Sequence, residues 1–571
     1  MLQFNDGEQF PVQQVYSARP SHSFLKVNFT KTNTSILDLL LRGGMAKPKL
    51  QPCDELRIRA TRPVPACATR KEWVLAAAVL GSAMSYIDES VVNVALPRIE
   101  SALDSTLPAM QWILNAYTLC ISALLLLGGA AADRFGRRRI FLAGLTLFAL
   151  ASVGCGLAPH ISVLIAARAV QGLGAALLIP CSLALIGAAY DEKERGAAIG
   201  IWSGASAVAA GGGPLLGGWL VDHASWRMIF LINPLIALPT IWIALRRVPE
   251  SRDPDASESL DWQGALLAFG ALGTLVYGLI AASHGGWAQS SVVSALAAGA
   301  LLLVLFVLQE RRSPAPMVPL ELFRSRNFAG INVLTLLLYG ALDGALFFLP
   351  FLLIQAHGYS ATAAGAVYLP FTFILALLSR WSGGLADRFG TRGPLVVGPV
   401  IAGAGFALLG GIAGTADYWI FLIPMIVLGL GFAITVAPLT TAVMNGVPER
   451  QIGIASGINN AVASIASLLF VAVLGTIALS SFGRSLDRHL TATAPSSEIR
   501  AALASSREAL APPKLPTNMS AQDRNTTRRV ATESFVETIR LVMLIAAALT
   551  WCGALAAAVA VGPPRMRQKL F

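Results

Sequence analysis

Charge is what this 571-residue sequence has least of. Lysine, arginine, aspartate and glutamate make up 13% of it, and 55% of its residues are hydrophobic, with a mean hydropathy of +0.63. A soluble domain carries about 25% charged residues, so a water-soluble globule is excluded and a membrane protein is the class that remains. Cysteine is scarce as well. Cys53, Cys67, Cys120, Cys155, Cys181 and Cys552 include no CxxC pair, so neither a disulfide framework nor a metal site is expected. Most lie in apolar runs, where a free cysteine acts as a small hydrophobe. No lysine follows a glycine anywhere, which excludes a G-x-x-x-x-G-K phosphate loop and, with it, ATP bound by that device. A clustered His, Cys and carboxylate constellation is missing too, and so is an appended soluble domain, so the chain does not read as an enzyme.

What the chain has instead is long apolar runs. About fourteen of 18 to 25 residues recur along it, each long enough as a helix to cross a hydrocarbon core of roughly 30 Å. The first six fall near 73–97, 110–131, 139–157, 161–185, 197–220 and 228–245. Two follow near 262–282 and 292–308. The last six lie near 328–355, 361–378, 395–412, 418–436, 457–479 and 538–561.

Basic residues are placed unevenly between these runs. Loops after the even-numbered spans carry Arg134, Arg137, Arg138 and Arg139, then Arg246 and Arg247, Arg311 and Arg312, and Arg388 and Arg392, while the alternate short loops carry few. The positive-inside rule then puts both termini in the cytoplasm of a multi-pass cell-membrane protein, and the net charge of +11 is a topology signal that requires no nucleic acid.

Two stretches stand apart from the spans. Residues 1–70 hold no membrane-length run and no signal-peptide core, so they read as a disordered cytoplasmic tail or as the product of an upstream start, with Met45 the alternative start. Residues 481–537 read as a long polar outer loop, rich in Ala, Ser and Pro, and residues 563–571 as a short cytoplasmic tail.

The segment "GAAADRFGRR" (129–138) returns as "GGLADRFGTR" (383–392) with seven of ten positions identical. Each copy lies between the second and third spans of a six-span group. The chain therefore reads as two related halves, 71–248 and 325–562, with two extra helices in 249–324. Asp133 and Asp387 can accept from helix N-terminal amides, and Arg134, Arg138, Arg388 and Arg392 can pair with carboxylates or last-turn carbonyls. Gly136 and Gly390 allow a tight turn. The plainer alternative is that these arginines only set topology.

The fifth span, "GIWSGASAVAAGGGPLLGG" (200–218), is dense in small residues that let helix backbones approach, and Pro214 bends it. Either the packing serves a mechanism, or it is close packing alone.

Ionisable groups inside spans are expensive and are functional candidates. The stretch "SYIDESVVNVALP" (85–97) puts Asp88 and Glu89 side by side, and Asp343 lies near the middle of the ninth span. Asp88 sits roughly 13 Å from the outer end of its span and Arg168 roughly 10 Å below the outer end of the fourth, by helical rise. The two can therefore face each other within the first bundle, as a proton-holding pair or as a static ion pair. Glu89 points about 100° away from Asp88 around the helix. One of the two acids is expected to face an aqueous cavity, and for Glu89 the outer interface is the alternative.

These motifs resemble those of the major facilitator superfamily. The G-x-x-x-D-R-x-G-R-R loop looks like its signature loop, with Gly129, Asp133, Arg134, Gly136 and Arg138 in the first copy and Asp387, Arg388, Gly390 and Arg392 in the second. In that family the loop locks and releases cytoplasmic helix ends. Gly200, Gly213, Pro214, Gly217 and Gly218 match the motif associated with its proton-exchanging exporters, although Ala209 replaces one of the motif's glycines. "DESVVNVALP" (88–97), "RAVQGLGAA" (168–176) and "WRMIFLINP" (226–234) resemble the fourteen-helix drug/proton antiporter branch. The resemblance implies an all-α polytopic fold of two six-helix bundles plus two central helices. It also implies a monomeric, proton-coupled exporter of small hydrophobic or amphipathic compounds such as antibiotics, driven by the proton gradient with no cofactor. An importer or facilitator of a polar nutrient is the alternative, which the glycine–proline motif argues against. A membrane sensor or enzyme on the same fold is a remoter one.

Overall fold

The computed structural model describes residues 68–253, 260–314, 316–448, 451–493 and 519–562, and all extended regular structure among them is helical. The expectations for residues 1–67 and 563–571 lie outside the described residues. Among the described residues, fourteen helical spans are long and apolar enough to cross a membrane.

The first group is α1 (Ala68–Ala102), α2 (Leu107–Phe135), α3 (Arg137–Gly156), α4 (Ile161–Ala189), α5 (Glu192–His223) and α6 (Met228–Arg247). The inserted pair is α7 (Trp262–Gly285) and α8 (Ser290–Arg312). The second group begins with α9 (Arg326–Leu346), whose span continues as short helical pieces at Leu349–Phe351 and Leu352–Ala356. Pro350 lacks the N–H that would carry the α-helical ladder through this point. The tenth span is likewise divided, into α10 (Ala361–Ala366) and α11 (Leu369–Phe389). After it come α12 (Arg392–Ile412), α13 (Tyr418–Asn445), α14 (Ile452–Thr493) and α15 (Ala521–Ala560).

The last two helices overrun the expected spans at 457–479 and 538–561, and they consume both ends of the stretch expected to be an irregular outer loop. The overrunning turns are amphipathic and pair with each other as a hairpin. Phe482 and Phe535 pack edge to face, and the Ser485 hydroxyl donates to Glu537 at 2.7 Å. Leu486 and Val530 are buried beside them. A helix stabilised by its partner in this way has too little mean hydropathy to register as a span.

Close helix approach positions the site. α5 lies so near α1 that a Cβ at Gly217 would sit 2.8 Å from the Val91 carbonyl, and so near α10 that one at Gly218 would collide with the Ala361 carbonyl. α2 meets α14, where the Gln111 amide donates to the Val471 carbonyl at 2.6 Å. α7 packs across both halves through Leu272, Val276 and Ile280, against Leu119 of α2 and Leu468 of α14. α8 lies outside it, with most of its large apolar side chains exposed, as a lipid-facing helix requires.

Candidate functional site: a buried ion-pair cluster beside a central cavity

The loop between α2 and α3 closes one end of the first bundle. Gly136 turns the chain at φ +114°, a conformation that suits only glycine well. Asp133 accepts from Arg137 Nε and Nη2 at 2.9 and 2.7 Å. This corrects the expectation that Asp133 accepts helix N-terminal amides. That role belongs to Glu250, which follows α6 and takes the Arg138 N–H at 3.0 Å. The i,i+4 spacing of Asp133 and Arg137 was readable; Glu250, far along the chain, carried no local signal. Arg138 donates to the Val248 carbonyl, and exposed Arg134 lies over the Phe135 ring with no carboxylate partner among the described residues. A Cβ at Gly129 would make only ordinary contact with Pro180.

In the second copy Gly390 also has positive φ, +72°. Exposed Arg392 reaches the Ala558 carbonyl at 2.6 Å in the last turn of α15. Arg388 is exposed. The side chain of Asp387 lies outside the described residues.

Along α5 the small residues at 196, 200, 204, 211 and 218 share one helical face. At its far end, away from the arginine loops, this face meets α10 and α11: a Cβ at Gly211 would collide with Thr372, and Gly365 closes on the Pro214 carbonyl. A Cβ at Gly213 would collide with Ser90 of α1. Toward the arginine loops no described atom lies within 4 Å of a Cβ at Gly196, Gly200 or Gly204. Gly200 therefore departs from the expectation of tight packing, since no described atom lies close to it. At the far end the halves are tied. Gln355 donates to Glu100 at 2.8 Å, and Asp222 accepts the Ala361 and Thr362 N–H groups and the Thr362 hydroxyl at 3.1, 2.7 and 2.6 Å.

Inside the first bundle, α1, α3, α4 and α6 converge on Asp88. Arg168 Nη1 donates to Asp88 Oδ2 at 2.5 Å, and both side chains are wholly buried. The amides of Gln171 and Asn233 donate to Oδ1 at 2.8 and 2.7 Å. Ser152 accepts from both amides and donates to the Phe230 carbonyl. Arg168 also donates to Gln171 Oε1 at 2.8 Å and to the Ile113 carbonyl at 3.2 Å, and its guanidinium stacks 4.2 Å from the Tyr117 ring centroid. Three donors on one carboxylate offset much of the cost of taking it out of water.

Gln171, Asn233 and Ser152 were missed from sequence. Gln171 stands at i+3 from Arg168, which was a usable hint; Asn233 and Ser152 are neutral polar residues in apolar helices and gave none.

Between the halves lies a cavity of about 190 Å³. Glu89 and Ser90 of α1, Arg168 of α4, Asp343 of α9 and Ser467 of α14 contribute to its wall. Glu89 is exposed to this space although it lies deep between the helices, and so does not reach the outer interface. Arg168 thus belongs both to the closed cluster and to the cavity, and its Nη2 has no hydrogen-bond partner among the described residues. The other three members of the expected set fall into place around it: Asp88 within the cluster, Glu89 and Asp343 on the cavity wall. No group of His, Cys, Asp and Glu among the described residues has the geometry to hold a metal ion.

The sequence model described as "Major Facilitator Superfamily" matches residues 78–471, well over half of the chain. The chain belongs to the major facilitator superfamily.

Similar proteins put this superfamily member in its drug-exporter branch. It is 35% identical to the multidrug resistance protein Stp of Mycobacterium tuberculosis, over 83% of this chain and 89% of that one. It is 33% identical to the tetracenomycin C resistance and export protein of Streptomyces glaucescens, over 72% and 77% of the respective chains. It is 36% identical to the methylenomycin A resistance protein of Bacillus subtilis, over 71% and 87%. Among solved structures, a bacterial homologue of the human lysosomal transporter Spinster, inward-facing and unoccupied, matches with TM-score 0.58 at 18% identity, covering 85% of this chain and 97% of that one. This match shows the fold alone. The protein is a multi-pass membrane transporter of small molecules, not an enzyme.

Proposed function

We propose that this transporter exports small hydrophobic or amphipathic compounds, antibiotics among them, in exchange for protons. The observation that carries the reading is the double membership of Arg168. Any change in the charge of the Asp88–Arg168 cluster reaches the cavity wall directly, through one side chain. Substrate in the cavity and a proton at Asp88 then compete through Arg168, which is what exchange requires.

The names of the relatives, multidrug resistance, antibiotic resistance and export, support the direction. The positive-inside rule supports an arginine-loop end in the cytoplasm, with both termini there. In that orientation the end of α5 that carries Gly196, Gly200 and Gly204, clear of other described atoms, is cytoplasmic, the side on which an exporter loads. The protein works as a monomer in the cell membrane and needs no cofactor or ATP. Its two halves rock about the cavity, with the arginine loops locking the cytoplasmic ends in the alternate state.

The test is a drug-susceptibility and dye-efflux panel in a host lacking its own pumps, with and without a protonophore. Expression should lower dye accumulation, and the protonophore should abolish the effect. Raised accumulation of a polar nutrient with no change in resistance would instead mark an importer.

A further inference from the structure

The far end of the molecule, away from the arginine loops, holds a carboxyl group short of donors. Glu100, in the last turn of α1, is only 4% exposed, and no Lys, Arg or His forms an ion pair with it among the described residues. Its side-chain donor there is the Gln355 amide of the other half, at 2.8 Å from Oε2. Glu100 Oε1 and Gln355 Oε1 are both buried and have no hydrogen-bond partner among the described residues. An ionised Glu100 thus leaves two acceptors orphaned at a closed interface, and each orphan costs free energy.

The charges around it give no relief. Of the charged or titratable groups on the segments that meet this end, Arg98 and Asp104 beside Glu100 and His160 ahead of α4 are exposed. Arg227, just before α6, lies over the Trp226 ring, Asp222 of α5 is engaged by Ala361 and Thr362, and His357 meets the Ala413 carbonyl. Gln355 itself lies in Leu352–Ala356, a wide π-helical turn. Such turns shift side chains out of the α-helical register and are frequent at functional sites.

We infer that Glu100 and Gln355 form a proton-binding latch. The far end closes with a proton on Glu100, whose carboxyl O–H donates to the Gln355 amide oxygen while the amide N–H donates to the carboxyl. One proton then satisfies both orphan oxygens and removes the buried charge. It comes from the water at the far end and returns there when the halves part, so closure takes up a proton and weakens as pH rises. Asp222 differs, because three donors already satisfy it without a proton. The latch stands about eleven residues beyond Glu89 along α1, roughly 16 Å by helical rise, and is separate from the cavity and from the Asp88 cluster. It goes beyond the export reading and holds whatever compound is carried and in whichever direction.

The test has two readouts on the purified full chain in lipid nanodiscs, where both faces see one pH. The first is infrared difference spectroscopy of protonated carboxyl groups. At about pH 6, where an ordinary glutamate is ionised, the native chain should show a protonated-carboxyl band that Glu100→Gln lacks. Gln355→Leu should shift that band, because the carboxyl loses its amide partner. The second readout is the distance between probes on cysteines placed at Ala102 and Ala416, exposed positions of the two halves at this end, with Cys53, Cys67 and Cys552 replaced by serine. From about pH 6 to about pH 9 the ratio of open to closed far ends should rise at least tenfold more in the native chain than in Glu100→Gln, whose amide N–H stands in for the carboxyl O–H at every pH. Gln355→Leu should already be more open at about pH 6. A native spectrum without a Glu100 band at about pH 6 would overturn the inference without recourse to the distances. An equal pH response in the native chain and the folded Glu100→Gln variant would overturn it too.

Discussion

Asp222, near the end of α5, accepts both the N–H and the hydroxyl of Thr362, in the first turn of α10, at 2.7 and 2.6 Å. One carboxylate thus fastens the two halves of the transporter together while satisfying donors that a helix start leaves open. The contact forms only when the far ends are closed, because it joins helices of different halves.

Asp222→Ala should therefore favour the state open at the far end. Hydrogen bonds to a charged group contribute about 1.5 to 3 kcal/mol when well shielded, and Asp222 is exposed, so a discounted value of about 1.4 kcal/mol, a tenfold shift in the equilibrium, is expected. A cysteine placed at Asn93 should react faster with an impermeant maleimide added from the far side. An unchanged labelling rate would show that the apolar contacts around Ala361 hold the closure alone.

The arginine loops differ in a way that predicts unequal sensitivity. Asp133 has Arg137 four residues on, at 2.7 Å, whereas the position four residues after Asp387 is Thr391, which cannot form an ion pair. Asp133→Asn should abolish transport with the protein still inserted and abundant, and Asp387→Asn should reduce it less. Glu250→Gln should resemble a mild Asp133 defect, since an amide oxygen still accepts the Arg138 N–H. Full activity of the Asp133 and Asp387 variants at normal expression would leave these loops as topology signals only.

Sterics rank the glycines of α5. A side chain at Gly218 meets the Ala361 carbonyl, which is backbone and cannot give way, whereas one at Gly213 meets the Ser90 side chain, which partly can. At Gly200 it meets open space. Gly218→Leu should abolish efflux, Gly213→Leu should impair it strongly, and Gly200→Leu should leave folding and substrate binding intact. Loss of turnover in the last variant, with binding retained, would indicate that α5 closes on α11 later in the cycle. Wild-type efflux from all three would reduce the motif to passive packing.

These positions also mark how far the sequence could be read. The helix count and the two-half plan were legible because hydropathy over a span-length window reports directly on the cost of exposing polar groups to lipid. The turns beyond Leu479 in α14 and before Thr538 in α15 were not, because their stability comes from pairing such as Phe482 with Phe535 rather than from hydropathy. Depth counting brought Asp88 and Arg168 to the same level, since a lone buried charge needs a partner. The same reasoning says nothing of Ser152 or Asn233, whose neutral groups carry little penalty that a sequence reveals. The open space beside Gly200 reflects one conformational state, and a sequence encodes all states at once.

The sharpest test falls on the Asp88–Arg168 pair. Loss of either partner leaves a buried charge uncompensated, which costs about 3 to 5 kcal/mol. Asp88→Asn also turns an acceptor partly into a donor, facing the Arg168, Gln171 and Asn233 donors. Asp88→Asn and Arg168→Ala should each abolish proton-driven efflux, but a collapsed cluster would have the same effect, so single variants cannot separate coupling from folding. The double variant Asp88→Asn/Arg168→Gln removes both charges together and should recover expression and thermal stability toward the native level. If the pair couples protons to substrate, this double variant should still bind substrate in the cavity, yet release no protons when substrate is added and drive no uphill efflux. If the pair is only a structural tie, the double variant should recover proton release along with stability, and Asp343 would then be the acid to examine for coupling.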